Sequence, residues 1–246
     1  ERFKTYERDN CWNLWEDFDG NIWLSTWGRG IARFNKASNS FKYFSHEPDN
    51  PGSISDNLVV ALFYSGRKQF WIGTENGLNL FDFKSETFTR YSRETGYHFD
   101  AIHSIGEDKR GNLWLGTTSG LVWFNPESGQ ERIFTREDGI QGDVFYANNG
   151  ITTRNGEMWF GGTKGMNSFF PEQIKINKQI PQIKLSAIRQ AGEEITLPKA
   201  PEQLSSIVLD WDKNFFEFEF VAMDYTIPKK NRFAYMLDGV DKDWFN

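Results

Sequence analysis

The chain has 246 residues, with 17% aromatics made up of 10 Trp, 23 Phe and 8 Tyr; one or two domains of this composition bury a sizeable core, which excludes a disordered chain. No run approaches the ~18 apolar residues of a membrane span, and Glu1–Thr5 has no apolar signal core, so any signal peptide is expected to have been removed. A net charge of -6 without a Lys/Arg block argues against nucleic acid as a partner, and the single cysteine, Cys11, excludes internal disulfides and Cys-cluster metal sites.

Phe3-Lys4-Thr5-Tyr6 has the spacing of Phe88-Thr89-Arg90-Tyr91, and Phe41-Lys42-Tyr43-Phe44 resembles both. Residues 1–6 therefore read as the outer strand of a blade that precedes the first complete one. One phrase then recurs four times: Asn21-Ile22-Trp23-Leu24-Ser25-Thr26, Phe70-Trp71-Ile72-Gly73-Thr74, Asn112-Leu113-Trp114-Leu115-Gly116-Thr117 and Glu157-Met158-Trp159-Phe160-Gly161-Gly162. The tryptophans are 48, 43 and 45 residues apart. A glycine and an apolar run follow each phrase, at Gly30–Phe34, Gly77–Phe81, Gly120–Phe124 and Gly165–Phe169. Glycine turns precede three of them, at Asp19-Gly20-Asn21, Arg110-Gly111-Asn112 and Asn155-Gly156-Glu157. In the third unit the strands fall at Ala101–Glu107, Leu113–Thr117, Leu121–Phe124 and Gln130–Thr135.

Four short strands per ~45 residues, repeated, are the signature of β-propeller blades. The blades fall at about 10–45, 57–92, 100–136 and 146–171. A blade buries its apolar faces only against its neighbours, so the repeated Trp reads as inter-blade core. Four blades are the low end for a closed ring. Either residues 3–6 close a small ring or the chain is a piece of a larger one, and the piece is the preferred reading.

Pro171 ends the last blade, and residues 175–181 read as a linker. The tail 182–246 reads as part of an Ig-like β-sandwich, with strands at Gln182–Ile188, Ile207–Asp210, Phe215–Phe220 and Phe233–Leu237. Phe216, Phe218 and Phe220 share one face and Glu217 and Glu219 the other, the pattern of a half-buried strand. Asp243-Trp244-Phe245-Asn246 comes before enough strands have appeared to close a sandwich, so the C-terminus reads as cut.

The phrase from Asp108 to Leu121 resembles the two-component regulator propeller repeat. Met158-Trp159-Phe160-Gly161-Gly162 through Gly165, Phe169 and Pro171 resembles that family's last blade. Phe215–Phe220, Met223-Asp224-Tyr225, Pro228, Tyr235, Leu237-Asp238-Gly239 and Asp243-Trp244 resemble the first half of the Y_Y_Y domain. The resemblance covers nearly the whole chain. It implies the periplasmic sensor region of a hybrid two-component system of the Bacteroidetes type, all-β, with these blades part of a seven-bladed propeller. It further implies an oligosaccharide ligand, control of polysaccharide-utilisation genes, a homodimer formed through the parent sensor, and a membrane helix downstream of the Y_Y_Y domain. The kinase and most blades of such a parent are not in this sequence.

No catalytic set is legible. His46, His98 and His103 have no metal spacing, and neither a nucleophile elbow nor a phosphate loop occurs. No cofactor is called for. Gly28-Arg29-Gly30 needs only a turn to explain it, and Asp17-Phe18-Asp19-Gly20 fails the calcium-loop pattern after Gly20, so it reads as a turn. A glycosidase needs only two carboxylates ~5–10 Å apart, so a secreted enzyme or carbohydrate-binding protein on a propeller is the alternative class.

The expected binding face carries the loops between strands two and three and those entering strand one. The first kind gives Trp27 and Arg29, Glu75 and Asn76, and Lys164. Trp27 offers a ring to stack on a sugar, or simply covers the neighbouring blade. The entering loops give Asp56 and Asn57, Tyr97-His98-Phe99-Asp100, and Asp143, Tyr146, Asn148 and Asn149. Tyr97-His98 either lines a polar pocket or packs its loop. His103 reads as an interior histidine with satisfied hydrogen bonds.

Overall fold

The computed structural model describes residues 10–174, 182–197, 199–200, 203, 206–208, 212–213, 215–223 and 233–245. The expected strand at 3–6, the linker at 175–181, and Asp224, Tyr225 and Pro228 lie outside these residues. The chain divides into two compact units, Glu1–Lys175 and Ile176–Asn246.

The first unit is a run of antiparallel sheets in chain order. The first holds β1 (Cys11–Glu16), β2 (Ile22–Thr26), β3 (Ile31–Asn35) and β4 (Ser40–Phe44). The second holds β5 (Val59–Tyr64), β6 (Phe70–Thr74), β7 (Gly77–Asp82) and β8 (Thr87–Tyr91). The third holds β9 (Ile102–Glu107), β10 (Leu113–Thr117), β11 (Leu121–Phe124) and β12 (Glu131–Phe134), within a residue of the strands expected for that unit. The fourth, of β13 (Phe145–Thr152), β14 (Met158–Gly162) and β15 (Gly165–Phe169), has three strands among the described residues. β5 touches β1, β9 and β13, and β9 touches β13, so the first strand of each blade lines the inner side.

The repeated tryptophans fasten blade to blade. Trp23 is fully buried and meets Phe70 and Phe81 of the next blade edge-on, with ring centroids 5.2 and 4.9 Å away. Trp71 lies in one cluster with Phe99, Ile102, Leu113 and Phe124 of the third blade. Trp114 packs on Phe169 of the fourth at 4.6 Å. Trp159 is only half-buried. An ion-pair triad adds to the first seam: Glu86, in the β7–β8 turn, takes Arg33 at 2.6 Å and Lys42.

The turns before the phrase explain their own sequence. Asp17 accepts from Asn21 N (2.8 Å), Asn21 Nδ2, Asp19 N (3.0 Å) and Trp23 Nε1 (2.9 Å). Asp108 does the same for Arg110 N and Asn112, and each Asn then accepts from a later one, Asn35 or Asn125, at 3.0 Å. The Asp17 carboxylate is ringed by N–H donors, which makes it a turn acceptor. Burial alone would raise its pKa, but these hydrogen bonds together hold it below the usual aspartate value. Its contribution to stability is therefore full above pH ~4 and is lost as pH falls through the depressed folded value. Asp17→Asn is expected to cost about 1–3 kcal/mol at neutral pH, with the gap to wild type narrowing below pH ~4 in urea titrations run across pH.

The second unit has a three-stranded sheet in the order β17 (Glu193–Glu194), β16 (Ile183–Gln190), β18 (Phe216–Ala222). The fold is thus all-β, with propeller blades followed by a sandwich-type tail. Two expected strands need correction. Ile207 and Val208 carry no strand, while Leu209–Asp210 lie outside the described residues. Phe233–Leu237 makes only one bridge among the described residues, Tyr235 with Phe245. Phe216, Phe218 and Phe220 are 39%, 48% and 44% exposed, so the face expected to be half-buried is open among the described residues. On the charged face Arg189 pairs with Glu219 at 3.1 Å.

Candidate functional site

The inner strands share a feature that the sequence does not announce. In β1, Cys11 pairs with Thr26 and Asn13 with Ser25, so Trp12 bulges out. In β5, Val59 pairs with Thr74 and Ala61 with Gly73, leaving Val60. In β9, Ile102 pairs with Thr117 and Ser104 with Gly116, leaving His103. In β13 the same place holds four residues, because Phe145 pairs with Gly162 and Gly150 with Phe160. Tyr146–Asn149 all stand opposite Gly161. A bulge breaks the ladder and re-aims a side chain. Here each blade does so at the start of its first strand, beside its own loop between strands two and three.

Those loops are closed alike. Thr26, Thr74 and Thr117 donate through Oγ1 to the carbonyls of Gly30, Gly77 and Gly120 at 2.7, 3.0 and 2.8 Å. The N–H groups of Trp27, Glu75 and Thr163 donate to Asn10, Leu58 and Val144, just before each inner strand. The loops between strands two and three and the bulges thus occupy one end of the blades.

The candidate residues divide into two groups. Trp27 is 50% exposed and stacks on Trp12, itself 54% exposed, with centroids 5.2 Å apart. Its loop is clamped to the second blade, since Gly28 and Gly30 both donate to Asn57 O. Arg29 is exposed on the same loop, and its carbonyl accepts from Ser45 Oγ. Glu75 and Asn76 are half-buried, and the Asn76 N–H donates to Thr74 Oγ1. Tyr146 and Asn149 lie exposed on the four-residue bulge. Lys164 is exposed and tied by its N–H to Gln141 Oε1 at 2.7 Å.

Tyr97 and His98 stand apart from this group. Tyr97 is wedged among Tyr91, Phe99 and Phe124, between the second and third blades. His98 reaches the outer strand of the third blade, with its N–H and Nδ1 on Glu131 Oε1 at 2.9 and 2.5 Å. These contacts pack their loop, the second of the two roles expected for them.

His103 is an interior histidine with both ring nitrogens engaged, and it links blades. Its Nδ1 faces the carbonyl of Phe145 in the fourth blade at 2.8 Å, and its Nε2 faces Glu75 Oε1 of the second at 3.3 Å. One imidazole therefore joins three blades at their bulged ends. Both neighbours are acceptors, so only an imidazolium donates to both at once. Trp12 was not among the expected face residues, whereas Asn148 was, on the loop entering the fourth blade. The run Asn148-Asn149-Gly150 was a usable signal, since Asn tolerates the left-handed backbone that Asn148 adopts (φ 56°).

Comparison with known proteins agrees with this architecture. Residues 96–119 match the family model "Two component regulator propeller". Histidine kinase P4 of Formosa agariphila is 26% identical over a 282-residue alignment covering 92% of this chain and 21% of that protein. The extracellular domain of the hybrid two component system BT3049 from B. thetaiotaomicron has a similar fold, with TM-score 0.69, 23% identity, and coverage of 94% of this chain and 32% of that one. The corresponding domain of BT4673, from the same organism, gives TM-score 0.51 at 21% identity, over 95% of this chain and 30% of that one. The chain spans about a fifth to a third of the length of these proteins. Residues 96–119, the first half of the third blade, match a two component regulator propeller repeat, in a chain whose fold is similar to that of the extracellular domains of hybrid two-component systems.

Proposed function

We propose that this chain is part of the ligand-sensing, periplasmic region of a hybrid two-component sensor histidine kinase, with an oligosaccharide as its ligand and polysaccharide-utilisation genes as its output. The observation that carries the reading is the propeller repeat at 96–119, in a chain similar over 92% of its length to a histidine kinase. The loop residues Trp27, Arg29, Glu75, Asn76, Tyr146, Asn149 and Lys164 supply rings, amides and charges suited to sugar hydroxyls. The tail 182–246 is read as part of a Y_Y_Y domain that transmits the response within a homodimer. Ligand bias between two dimer arrangements then requires only a difference in affinity for them.

The test is a thermal-shift and calorimetric screen of the chain against short neutral and uronate-containing plant and algal oligosaccharides. A true ligand at about 100 times its Kd adds roughly 2.7 kcal/mol to the stability of the propeller unit, and it is recovered intact. Cleavage of the oligosaccharide would overturn the sensor reading in favour of an enzyme. So would a parent reading frame that lacks an apolar helix and a kinase core beyond Asn246.

A further inference from the structure

We infer that the oligosaccharide binds at the bulged ends of the inner strands, and that it is neutral, with a vicinal diol gripped by Glu75 and Asn148 and another ring on Trp12. This deepens the oligosaccharide reading and rests on it. Closing a blade requires at most the single bulged residue found at Trp12, Val60 and His103. The fourth blade spends four, Tyr146–Asn149, and holds Asn148 in a left-handed conformation. Extra unpaired backbone opposes folding and is kept where a site uses it. Gly161 opposite makes room, since a Cβ there would stand 3.3 Å from that of Asn149.

The chemistry of the ligand follows from the neighbours. His103 holds Glu75 by Oε1 alone, and Oε2 has no partner among the described residues, on a side chain that is 36% exposed. A carboxylate oxygen accepts from one hydroxyl while an amide both donates to and accepts from the next, which matches adjacent hydroxyls of a pyranose. An anionic sugar ring held by Glu75 would set its own carboxylate against it, since the exposed cations of this end, Arg29 and Lys164, sit on the loops of the first and fourth blades and not of the second. Trp12 and Trp27, stacked and each about half exposed, present an aromatic face for the C–H side of a ring. Trp12 belongs to the first blade and Asn148 to the fourth, so a chain of sugars, rather than one, is needed to span them.

The experiment is calorimetric titration of the wild-type chain and of Glu75→Gln, Asn148→Asp and Trp12→Ala. The probes are neutral gluco-, galacto-, manno- and xylo-oligosaccharides, with oligogalacturonate and oligo-alginate beside them. Gln keeps the shape at position 75, Asp tolerates the backbone at 148, and Trp12 is exposed, so unchanged thermal unfolding is expected of all three. A neutral probe should bind wild type, and each variant should bind it at least about tenfold more weakly. Unchanged affinity in all three variants would overturn this site while leaving the oligosaccharide reading standing. Binding of the uronate probes alone would overturn the neutral assignment. Binding of no probe at all would overturn the oligosaccharide reading itself.

Discussion

Trp71→Ala is expected to lower the unfolding free energy by about 3–5 kcal/mol, a large share of the ~5–15 kcal/mol that a domain has to lose. Trp71 is fully buried and packs with Ala61 and Leu78 of its own blade and Phe99, Ile102, Leu113 and Phe124 of the next. Truncation opens a cavity in a seam whose two sides are separate sheets, and neither sheet can collapse into it without leaving its other neighbour. The reading separates volume from hydrogen bonding. Trp71 Nε1 has no partner among the described residues, whereas Trp23 Nε1 donates to Asp17. Trp71→Phe should therefore lose only packing, while Trp23→Phe also leaves the buried Asp17 short of a donor and should cost about 1 kcal/mol more. Trp159, half-buried, should tolerate Ala best of the four. Urea unfolding followed by circular dichroism measures all of these, and a loss below ~1 kcal/mol for Trp71→Ala would mean that the tryptophans do not hold the blades together.

What the sequence displays and what it hides have a common physical origin. The blades are legible because each repeats much the same burial: Trp at the seam, Gly before strand three and, in the first and third, Asp and Asn closing the first turn. Side chains carry that pattern, so the third-unit strands fall within a residue of their expected bounds. The bulges are different. A bulge at Trp12, Val60 or His103 is a matter of pairing register, which depends on the partner strand and leaves little trace in the residues themselves. Hence Trp27, Glu75 and Asn148 could be placed from loop position alone, while Trp12 could not, nor the two partners that His103 takes in other blades. Tyr97 and His98 show the converse, two readings that their loop sequence leaves open. Their polar groups suggested a pocket, but Tyr97 is an aromatic filler between Tyr91 and Phe124, and His98 answers to Glu131 in the outer strand. Nothing within the loop sequence encodes that distant partner. The tail is less legible for a similar reason: Phe216–Phe220 alternates clearly and forms a strand, whereas the apolar run Phe233–Leu237 makes a single bridge among the described residues.

Gly77→Ala is expected to cost about 2–5 kcal/mol, and Gly165→Ala only about 1–2 kcal/mol, although the two glycines hold the same place in the repeat. Gly77 has φ +102° and Gly165 φ +121°, so a side chain is strained at both. The difference is what a Cβ would meet. At Gly77 it would lie 2.4 Å from Tyr91 O, the carbonyl of the last residue of β8, and 2.8 Å from Ser92 Cβ. Gly30 and Gly120 meet Phe44 O and Phe134 O, the ends of β4 and β12, in the same way. At Gly165 nothing lies within 4 Å, because no fourth strand crosses there among the described residues. The glycine thus answers two demands, a backbone turn in every blade and the close passage of strand four in three of them. Substitution at Gly77 must push β8 away from β7 and so loosen the strand that carries Phe88 into the seam with the first blade. Paired urea titrations of the two variants isolate that second demand, since the conformational strain is common to both. Equal losses would show that the outer strand yields freely, and that the glycine is kept for its turn alone.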